Sequence, residues 1–436
     1  MSKKSVKLTP ISEENSGAEN SNKKIKIKPP KNSKQKKHKK VVLIVVIVIL
    51  ILGALGAGGV ALYFLVFNKP AAEAPAEQEQ AKEPEPPKYY SKLTGLEIAS
   101  EAENSSPLYC MQIPNGADGA RPQTGLDEAG VVFEAIAEAG ITRFAAVFQN
   151  PKSKTIGPIR SLRSYYLDWD TPFDCAIVHA GGSTDAVAAV RAGGYHDLTE
   201  SAVYMWRDYT SYWAPNNLMT SPTLLSEFAK DDGYTTATPQ TFLRLSEKDV
   251  EAAVAKLNLP AEETTAEHTA ETNCADGDEN TNCASASVPF VPQIAVNFGS
   301  VATFNTVYQY DIATNTYRRS YASGEEHLVY NCAAADGEEP SPKKDCGIAK
   351  QLAPSAVAVM MVDERLDSDN YHHVIQTIGT GTAYIFQNGT AVKGTWKKAS
   401  RESQIVFTSD AGEPIAFTPG QLWIAAIPNY GGSVQF

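Results

Sequence analysis

The longest apolar run in the chain covers residues 41–67, "VVLIVVIVILILGALGAGGVALYFLVF", and contains no charged residue. As a helix it would be about 40 Å long, whereas the hydrocarbon core of a bilayer is about 30 Å thick. A cleaved signal peptide would have a shorter apolar core, of about 7–15 residues, ending at a small-residue cleavage site. Because this run is longer and follows forty polar residues, it predicts a single retained transmembrane helix.

Short apolar runs alternate with helical patterns across residues 91–260. Near-continuous apolar runs predict buried strands, and amphipathic runs that end in glycine predict helices. Such strand-to-helix units predict an α/β (α+β) domain. The strands are predicted at 108–113, at 130–149 as a pair turning near Ala139–Gly140, and at 173–180, and the helices at 183–194 and 221–233.

Turn signals separate many short strand-like runs across residues 288–436, and Asn388-Gly389 is a strong hairpin turn. This segment is predicted to be a mostly antiparallel β domain. Pro, Ala and Glu dominate 68–90, which predicts an extended linker, and 261–287 is an acidic low-complexity insertion. The predicted order is a disordered tail (1–40), the transmembrane helix, the linker, the α/β domain, the insertion and the β domain.

Charge is distributed very unevenly along the chain. Residues 1–40 contain 13 lysines and three glutamates, whereas the whole chain has a net charge of −11. By the positive-inside rule the tail stays in the cytoplasm, near anionic lipids, and the part after the anchor lies outside the cell membrane. That part is too acidic to suggest a nucleic-acid partner.

All six cysteines follow the predicted anchor, which fits an oxidising compartment. Cys274 and Cys283 lie close together in the acidic insertion, and Cys332 and Cys346 flank a second loop. This spacing suggests two local disulfides and leaves Cys110 with Cys175, although six cysteines allow 15 connectivities.

The first candidate site is the stretch "IGPIRSLRSYYLDW", residues 156–169. The Gly-Pro pair predicts a helix start, with Arg160 and Arg163 in or near the first turn and on one face. Cations oppose the helix dipole there, so a negative group should meet them. That group is either an anionic ligand, which arginine recognises well, or a carboxylate of the protein, such as Asp168, Asp170 or Asp208.

The second candidate, "HAGGSTDA" (179–186), follows a predicted buried strand. Gly181 and Gly182 would let the backbone approach a ligand, and Ser183 precedes a helix whose free N–H groups suit an anion. The alternative is a tight turn with a capping serine. His179 could also act as a base for Ser183, although the stretch lacks the GxSxG spacing of a nucleophile elbow.

The third candidate, "MWRDYTSYWAPNNLMTS" (205–221), places aromatic residues around Arg207 and Asp208, and Asn217 follows them within the same stretch. This mixture is typical of sugar or peptide grooves, and a loop packed on the core by its aromatic rings is the alternative. His372 and His373 are adjacent in a predicted strand and so point to opposite faces. We therefore expect no metal site and no cofactor.

Several blocks resemble the YerB-like lipoprotein family, a domain of unknown function (number 3048). They are residues 120–150, "IGPIRSLRSYYLDW", "HAGGS" and "WRD…APNN…TS", with "TGTAYIFQNGTAVKGTWKK" and "PIAFTPGQLWIAAIP" in the β-rich segment. The resemblance implies an extracytoplasmic, membrane-attached bacterial protein with a two-domain ectodomain, and it supplies no activity.

This chain departs from the family pattern at several points. Family members are commonly tethered by a lipid on a cysteine, and this sequence has no cysteine near residues 1–70. The family's usual histidine of an "APHN" motif is Asn216 here, and an arginine usual shortly before it is absent. Residues 261–287 and 333–347 are extra.

Three functions follow as hypotheses. The favoured one is a binding module for an anionic cell-envelope ligand such as cell-wall glycan, peptide stems or polyanions. The second is an envelope hydrolase that uses His179 with Ser183 or Asp208, and the third is a structural partner in an envelope complex. The predicted ligand-binding residues are Arg160, Arg163, His179, Gly181, Gly182, Ser183, Arg207, Asp208 and Asn217.

Overall fold

A computed structural model describes residues 87–117, 119–258, 288–337, 339–347 and 349–436. The lysine-rich tail, the predicted transmembrane helix at 41–67 and the insertion at 261–287 lie outside these residues, as do most of the linker, Cys274 and Cys283. Within the described ranges, no helix is long and apolar enough to span a bilayer. Residues 86–436 form one compact unit.

The fold is a mixed α/β structure with many strands and few helices. The helices are α1 (Ser164–Asp170), α2 (Thr184–Arg191), α3 (Pro222–Asp231), α4 (Glu247–Val254) and α5 (Pro342–Asp345). The strands are β1 (Tyr89–Tyr90), β2 (Glu97–Ile98), β3 (Leu108–Pro114), β4 (Gln123–Thr124), β5 (Val131–Ile136), β6 (Thr142–Gln149), β7 (Ala176–His179), β8 (Asp197–Thr199), β9 (Trp206–Arg207), β10 (Leu218–Met219), β11 (Leu257–Asn258), β12 (Val288–Pro289), β13 (Gln293–Asn297), β14 (Thr306–Asp311), β15 (Thr316–Tyr321), β16 (Leu328–Tyr330), β17 (Lys350–Gln351), β18 (Ala356–Val362), β19 (Glu364–Leu366), β20 (His373–Ile375), β21 (Gly379–Gln387), β22 (Thr390–Lys398), β23 (Val406–Ser409), β24 (Leu422–Pro428) and β25 (Ser433–Gln435).

Ten strands form the central sheet in the order β23-β22-β21-β18-β24-β5-β6-β3-β7-β8. β24 pairs in parallel with both β18 and β5, so strands from the two predicted domains share one sheet. The predicted boundaries, 91–260 and 288–436, remain predictions. The inner strands are buried on both faces, which explains their near-continuous apolar sequences.

Smaller sheets and short helices cover the central sheet. A four-stranded sheet has the order β15-β14-β13-β25, and a three-stranded sheet joins β17, β16 and β4. Trp169 of α1 stacks on Phe133 of β5, with ring centroids 5.3 Å apart, and thereby fixes α1 on the sheet.

The strand pair at 130–149, the helices near 183–194 and 221–233 and the Asn388-Gly389 hairpin are confirmed. Ser221 caps α3 by accepting a hydrogen bond from the Leu224 N–H at 3.2 Å. These elements have strong local signals, because caps and turn residues specify their ends.

The helix start predicted from Gly157-Pro158 is wrong, because α1 begins only at Ser164. Residues before it are extended and pair with neighbouring segments: Ile156 bridges to Thr220, and Leu162 bridges to Gly182. These long-range hydrogen bonds replace the helical ones. Arg160 therefore lies in an extended segment, and Arg163 is the residue that precedes α1.

Candidate functional site

The first two candidate stretches lie side by side. The Leu162 N–H donates to the Gly181 carbonyl at 3.0 Å, and the Ser183 N–H donates to the Leu162 carbonyl at 3.1 Å. A Cβ on Gly182 would lie 2.9 Å from the Leu162 carbonyl oxygen. Glycine is therefore required at this position by backbone packing, without any ligand.

Glu138 is the carboxylate that meets Arg163. It lies in the turn between β5 and β6, forms a nearly buried ion pair with Arg163, and lies 3.4 Å from Arg143. Burial raises the pKa of Glu138, but Arg163 and Arg143 outweigh burial and lower it below its ordinary value. The Arg143 Nη1 also donates to the Ser161 carbonyl at 2.8 Å.

Arg160 has no carboxylate within ion-pair distance among the residues that the structure describes. Its guanidinium is partly buried. Burial lowers the pKa of Arg160, and the nearby Arg143 and Arg163 lower it further, with only Glu138 opposing them. Glu138 pairs with Arg143 and Arg163 but not with Arg160, so the three guanidinium groups outnumber the one carboxylate near them.

Arg160 opens into a cavity of about 510 Å³, here called the Arg160 cavity. This volume lies in the range of small-ligand pockets. Side chains from both halves of the chain line it, including Asn216, where the resembled family usually has histidine. The lining residues are Pro114, Asn115, Gly116, Ala117, Glu138, Ala139, Ile141, Thr142, Arg143, Arg160, Asn216, Val301, Thr303, Phe304 and Tyr371.

Arg163 and Ser183 line a different cavity, of about 450 Å³, together with four aspartates. Burial raises the pKa of Asp185 at the start of α2, but hydroxyls of Ser164 and Ser183 outweigh it and lower that pKa. Ser183 makes no side-chain capping bond, contrary to the predicted capping role. Because Asp185 already occupies this helix start and three more aspartates line the cavity, the cavity is a poor anion site.

His179 is buried and held on both ring nitrogens. Its Nδ1 lies 2.7 Å from the Gly181 carbonyl oxygen, and its Nε2 lies 2.8 Å from Asp197 Oδ1. Both ring nitrogens therefore point at these two oxygens and neither points at Ser183. The geometry gives the hydrolase hypothesis no general base at this position.

Arg207, Asp208 and Asn217 form a braced turn outside the Arg160 cavity. Arg207 Nη1 donates to Asn217 Oδ1 at 3.0 Å, and Arg207 also forms an ion pair with Glu200. Both oxygens of Asp208 accept from Ser341 Oγ at 3.1 Å. These contacts connect the three side chains to one another and to neighbouring segments, and their predicted part in ligand binding stays a prediction.

Two disulfides match the predicted pairing, Cys110–Cys175 and Cys332–Cys346. Among the described residues, no group of three or more His, Cys, Asp or Glu side chains could hold a metal ion. His373 Nδ1 is hydrogen-bonded to Glu364 Oε1, and His372 Nδ1 lies 2.6 Å from Asp369 Oδ2.

Sequence reasoning missed Glu138 and Arg143, the groups that set the charge around Arg160. Both lie in the stretch "AIAEAGITRF", which the apolar pattern assigns to two strands and a turn. Isolated charged residues within such an apolar stretch indicate buried ion pairs, because a buried charge requires a partner. The same signal identifies Glu134 in "VVFEAI", which is fully buried and bonded to Arg319.

Two models of one protein family match this chain. The N-terminal domain of a protein of unknown function, DUF3048, matches residues 93–235, and its C-terminal domain matches residues 294–424. The chain therefore belongs to the DUF3048 family, which the sequence blocks had predicted.

A curated relative and a solved structure agree with this assignment. "Putative lipoprotein YerB" of Bacillus subtilis (strain 168) is 25% identical over 342 residues, which are 77% of this chain and 86% of the relative. The crystal structure of the YerB protein from Bacillus subtilis superimposes with a TM-score of 0.59 at 23% identity. It covers 80% of this chain and all of the YerB chain, and it shows a shared fold.

Proposed function

We propose that this protein is attached to the cell membrane, faces the outside and binds an anionic envelope ligand in the Arg160 cavity. The observation that carries the proposal is Arg160 itself, a partly buried guanidinium without a carboxylate partner among the described residues. A buried or partly buried cation without a counter-charge is costly, and an anionic ligand would supply that charge.

The neighbouring groups support this proposal. Glu138 is engaged by Arg163 and Arg143, so its charge is already shared when a ligand reaches Arg160. Arginine also recognises carboxylate and phosphate in a planar, bidentate manner. The ligand is expected to carry at least one such group, and its binding is expected to weaken as salt increases.

The proposed attachment is the uncharged run at 41–67, with residues 1–40 in the cytoplasm. The relative's printed name contains the word lipoprotein, and a covalent lipid would likewise attach a protein to a membrane. Retention of the full-length protein in membranes after alkaline carbonate washing would support the anchor, and release into the supernatant would contradict it.

Anion binding can be tested on the full-length chain in detergent micelles, with short polyglutamate and inorganic polyphosphate as probes. A probe at 100 times its Kd is expected to stabilise the folded state by about 2.7 kcal/mol. Arg160→Gln should abolish the shift, because it removes the charge without disturbing the Glu138 ion pairs.

Arg191→Gln is the matched control, because Arg191 is an exposed arginine at the end of α2 and outside the Arg160 cavity. Equal shifts for the parent, Arg160→Gln and Arg191→Gln would refute the site. The alternative of a structural partner places the contacts on the linker and on residues 261–287, and the latter lie outside the described residues.

A further inference from the structure

Exposed apolar side chains surround the Arg160 cavity. Ile141 is 37% exposed, Val301 is 44% exposed and Tyr371 is 56% exposed, and all three line the cavity. Trp213, which does not line the cavity, is 77% exposed and lies close to Gly119, since a Cβ on Gly119 would lie 3.5 Å from Trp213 Cβ. Apolar groups concentrated around one arginine are typical of protein-recognition sites.

These apolar groups distinguish between kinds of anion. Inorganic phosphate and simple polyanions gain nothing from aliphatic walls such as Ile141 and Val301. A sugar would need polar side chains to bond its hydroxyls. Asn115 is already engaged, because its Nδ2 donates to Thr142 Oγ1 at 2.7 Å and its Oδ1 accepts from the Tyr321 hydroxyl at 2.7 Å.

The exposed apolar side chains that line the Arg160 cavity come from separate parts of the chain. Ile141 follows the turn of β5 and β6, Val301 lies between β13 and β14, and Tyr371 lies in the β19–β20 hairpin. Gly140 allows Val301 to pack closely beside Ile141's neighbouring turn, because a Cβ there would lie 3.0 Å from Val301 Cγ2. The fold therefore positions these apolar side chains before a ligand binds, so binding does not have to pay the entropy of ordering them.

We infer that the ligand is a segment of a protein partner that presents one carboxylate flanked by apolar side chains. This inference rests on the proposed function, because it needs Arg160 to bind the carboxylate. The flanking apolar side chains then cover Ile141, Val301 and Tyr371, which are otherwise exposed to water. Charge complementarity fixes the position of the segment. Burial of the apolar side chains makes the segment bind more tightly than anions that lack apolar groups.

The test compares fluorescent peptides on the full-length protein in detergent micelles by polarisation. One peptide has a central glutamate flanked by valine and phenylalanine, a second replaces the flanking residues with serine, and a third replaces the glutamate with glutamine. An oligosaccharide of uronic acids is the fourth probe. The first peptide is expected to bind at least about tenfold tighter than the second and third.

Val301→Ser should weaken binding of the first peptide severalfold more than binding of the serine peptide. The matched control is Val203→Ser, because Val203 is 71% exposed and lies outside the Arg160 cavity. Arg160→Gln should abolish binding of both glutamate peptides. These side chains are exposed or partly exposed, so the variants are expected to fold.

The outcomes separate this inference from the proposed function. Equal affinity for the apolar and serine peptides would overturn the inference and leave anion binding at Arg160 intact. Tighter binding of the uronic-acid oligosaccharide than of any peptide would replace the protein partner by a glycan. Binding that Arg160→Gln does not change, for every probe, would refute both proposals.

Discussion

At the scale of single residues, Asp170 is a buried carboxyl group without a cation. It lies at the end of α1, where Gln112 Nε2 donates to its Oδ2 at 3.1 Å. Burial raises the pKa of Asp170 well above its usual range, and the hydrogen bond from Gln112 opposes this only in part. Asp170 Oδ1 and Gln112 Oε1 are both buried and without a hydrogen-bond partner in the described part of the chain.

Asp170→Asn is expected to stabilise the fold at neutral pH. The native state binds this proton more tightly than the unfolded state, so stability is highest below the usual carboxyl pKa and falls as pH rises through the native value. Asparagine does not ionise, so the variant keeps the stability that the parent loses at neutral pH. A gain of about 1 kcal/mol in the free energy of unfolding would raise Tm by ~2–4 °C. Thermal unfolding of parent and variant from pH 4 to pH 8 checks this, and parallel pH profiles would contradict it.

Glu134 and Arg319 form the opposite kind of residue pair, fully buried but fully partnered. Arg319 Nη2 donates to Glu134 Oε2 at 2.8 Å, and Trp423 Nε1 donates to the same oxygen at 2.9 Å. Burial lowers the pKa of Arg319, but the Glu134 carboxylate outweighs burial and raises it. Burial also lowers the pKa of His327, whose Nδ1 accepts from Arg319.

Glu134→Gln is expected to destabilise the protein by about 3–5 kcal/mol, because it leaves the Arg319 charge buried and unpaired. Adding Arg319→Met should restore much of that loss, since the double variant has no buried charge to compensate. Urea unfolding of the two single variants and the double variant measures the coupling. Additive losses would show that the pair is not energetically coupled.

At the scale of elements, the turn of Glu138–Gly140 determines the shape of the Arg160 cavity. Gly140 has a φ of +71°, and a Cβ there would lie 2.0 Å from Ser300 Oγ. A side chain at the last position of the turn would therefore displace Ser300 and crowd Val301. Gly412 has a φ of +84°, but a Cβ there would have no atom within 4 Å.

Gly140→Ala is expected to destabilise the protein by more than Gly412→Ala. Both substitutions strain a left-handed backbone, at about 1 kcal/mol, and only the first adds a steric clash. The first should also weaken binding of the peptide whose glutamate is flanked by valine and phenylalanine, because the added Cβ would crowd Val301, whose Cγ2 lies 3.0 Å away. Urea unfolding and probe titration of both variants measure these effects, and equal values would show that crowding at Gly140 is unimportant.

Elements with strong local signals could be predicted from the sequence. Ser221 specifies the start of α3, and Asn388-Gly389 specifies the turn between β21 and β22. The start of α1 could not be predicted from the sequence, because Ile156 and Leu162 pair with residues distant in sequence. Those hydrogen bonds override the local proline signal. The adjacency of Arg160 to the Gly-Gly-Ser stretch was suggested by residue type, whereas the role of Glu138 required the folded turn.

At the scale of the whole molecule, the parts of the candidate site are distributed over the chain. Arg160 belongs to one family segment, and Val301 and Tyr371 belong to the other. Residue types alone gave Arg160 and Arg163 equal weight. The two arginines differ only in their surroundings in the folded chain. Glu138 pairs with Arg163, whereas Arg160 faces the Arg160 cavity without a carboxylate partner among the described residues.

The position of β24 in the central sheet has a consequence for how the chain is made. Leu422–Pro428 pairs with both β18 and β5, so these two strands keep open edges until that late segment has been synthesised. Open edges are templates for aggregation, and sheets closed by distant strands fold slowly. The unfinished chain is therefore the species most exposed to aggregation and proteolysis, and folding of the sheet is a late, cooperative event.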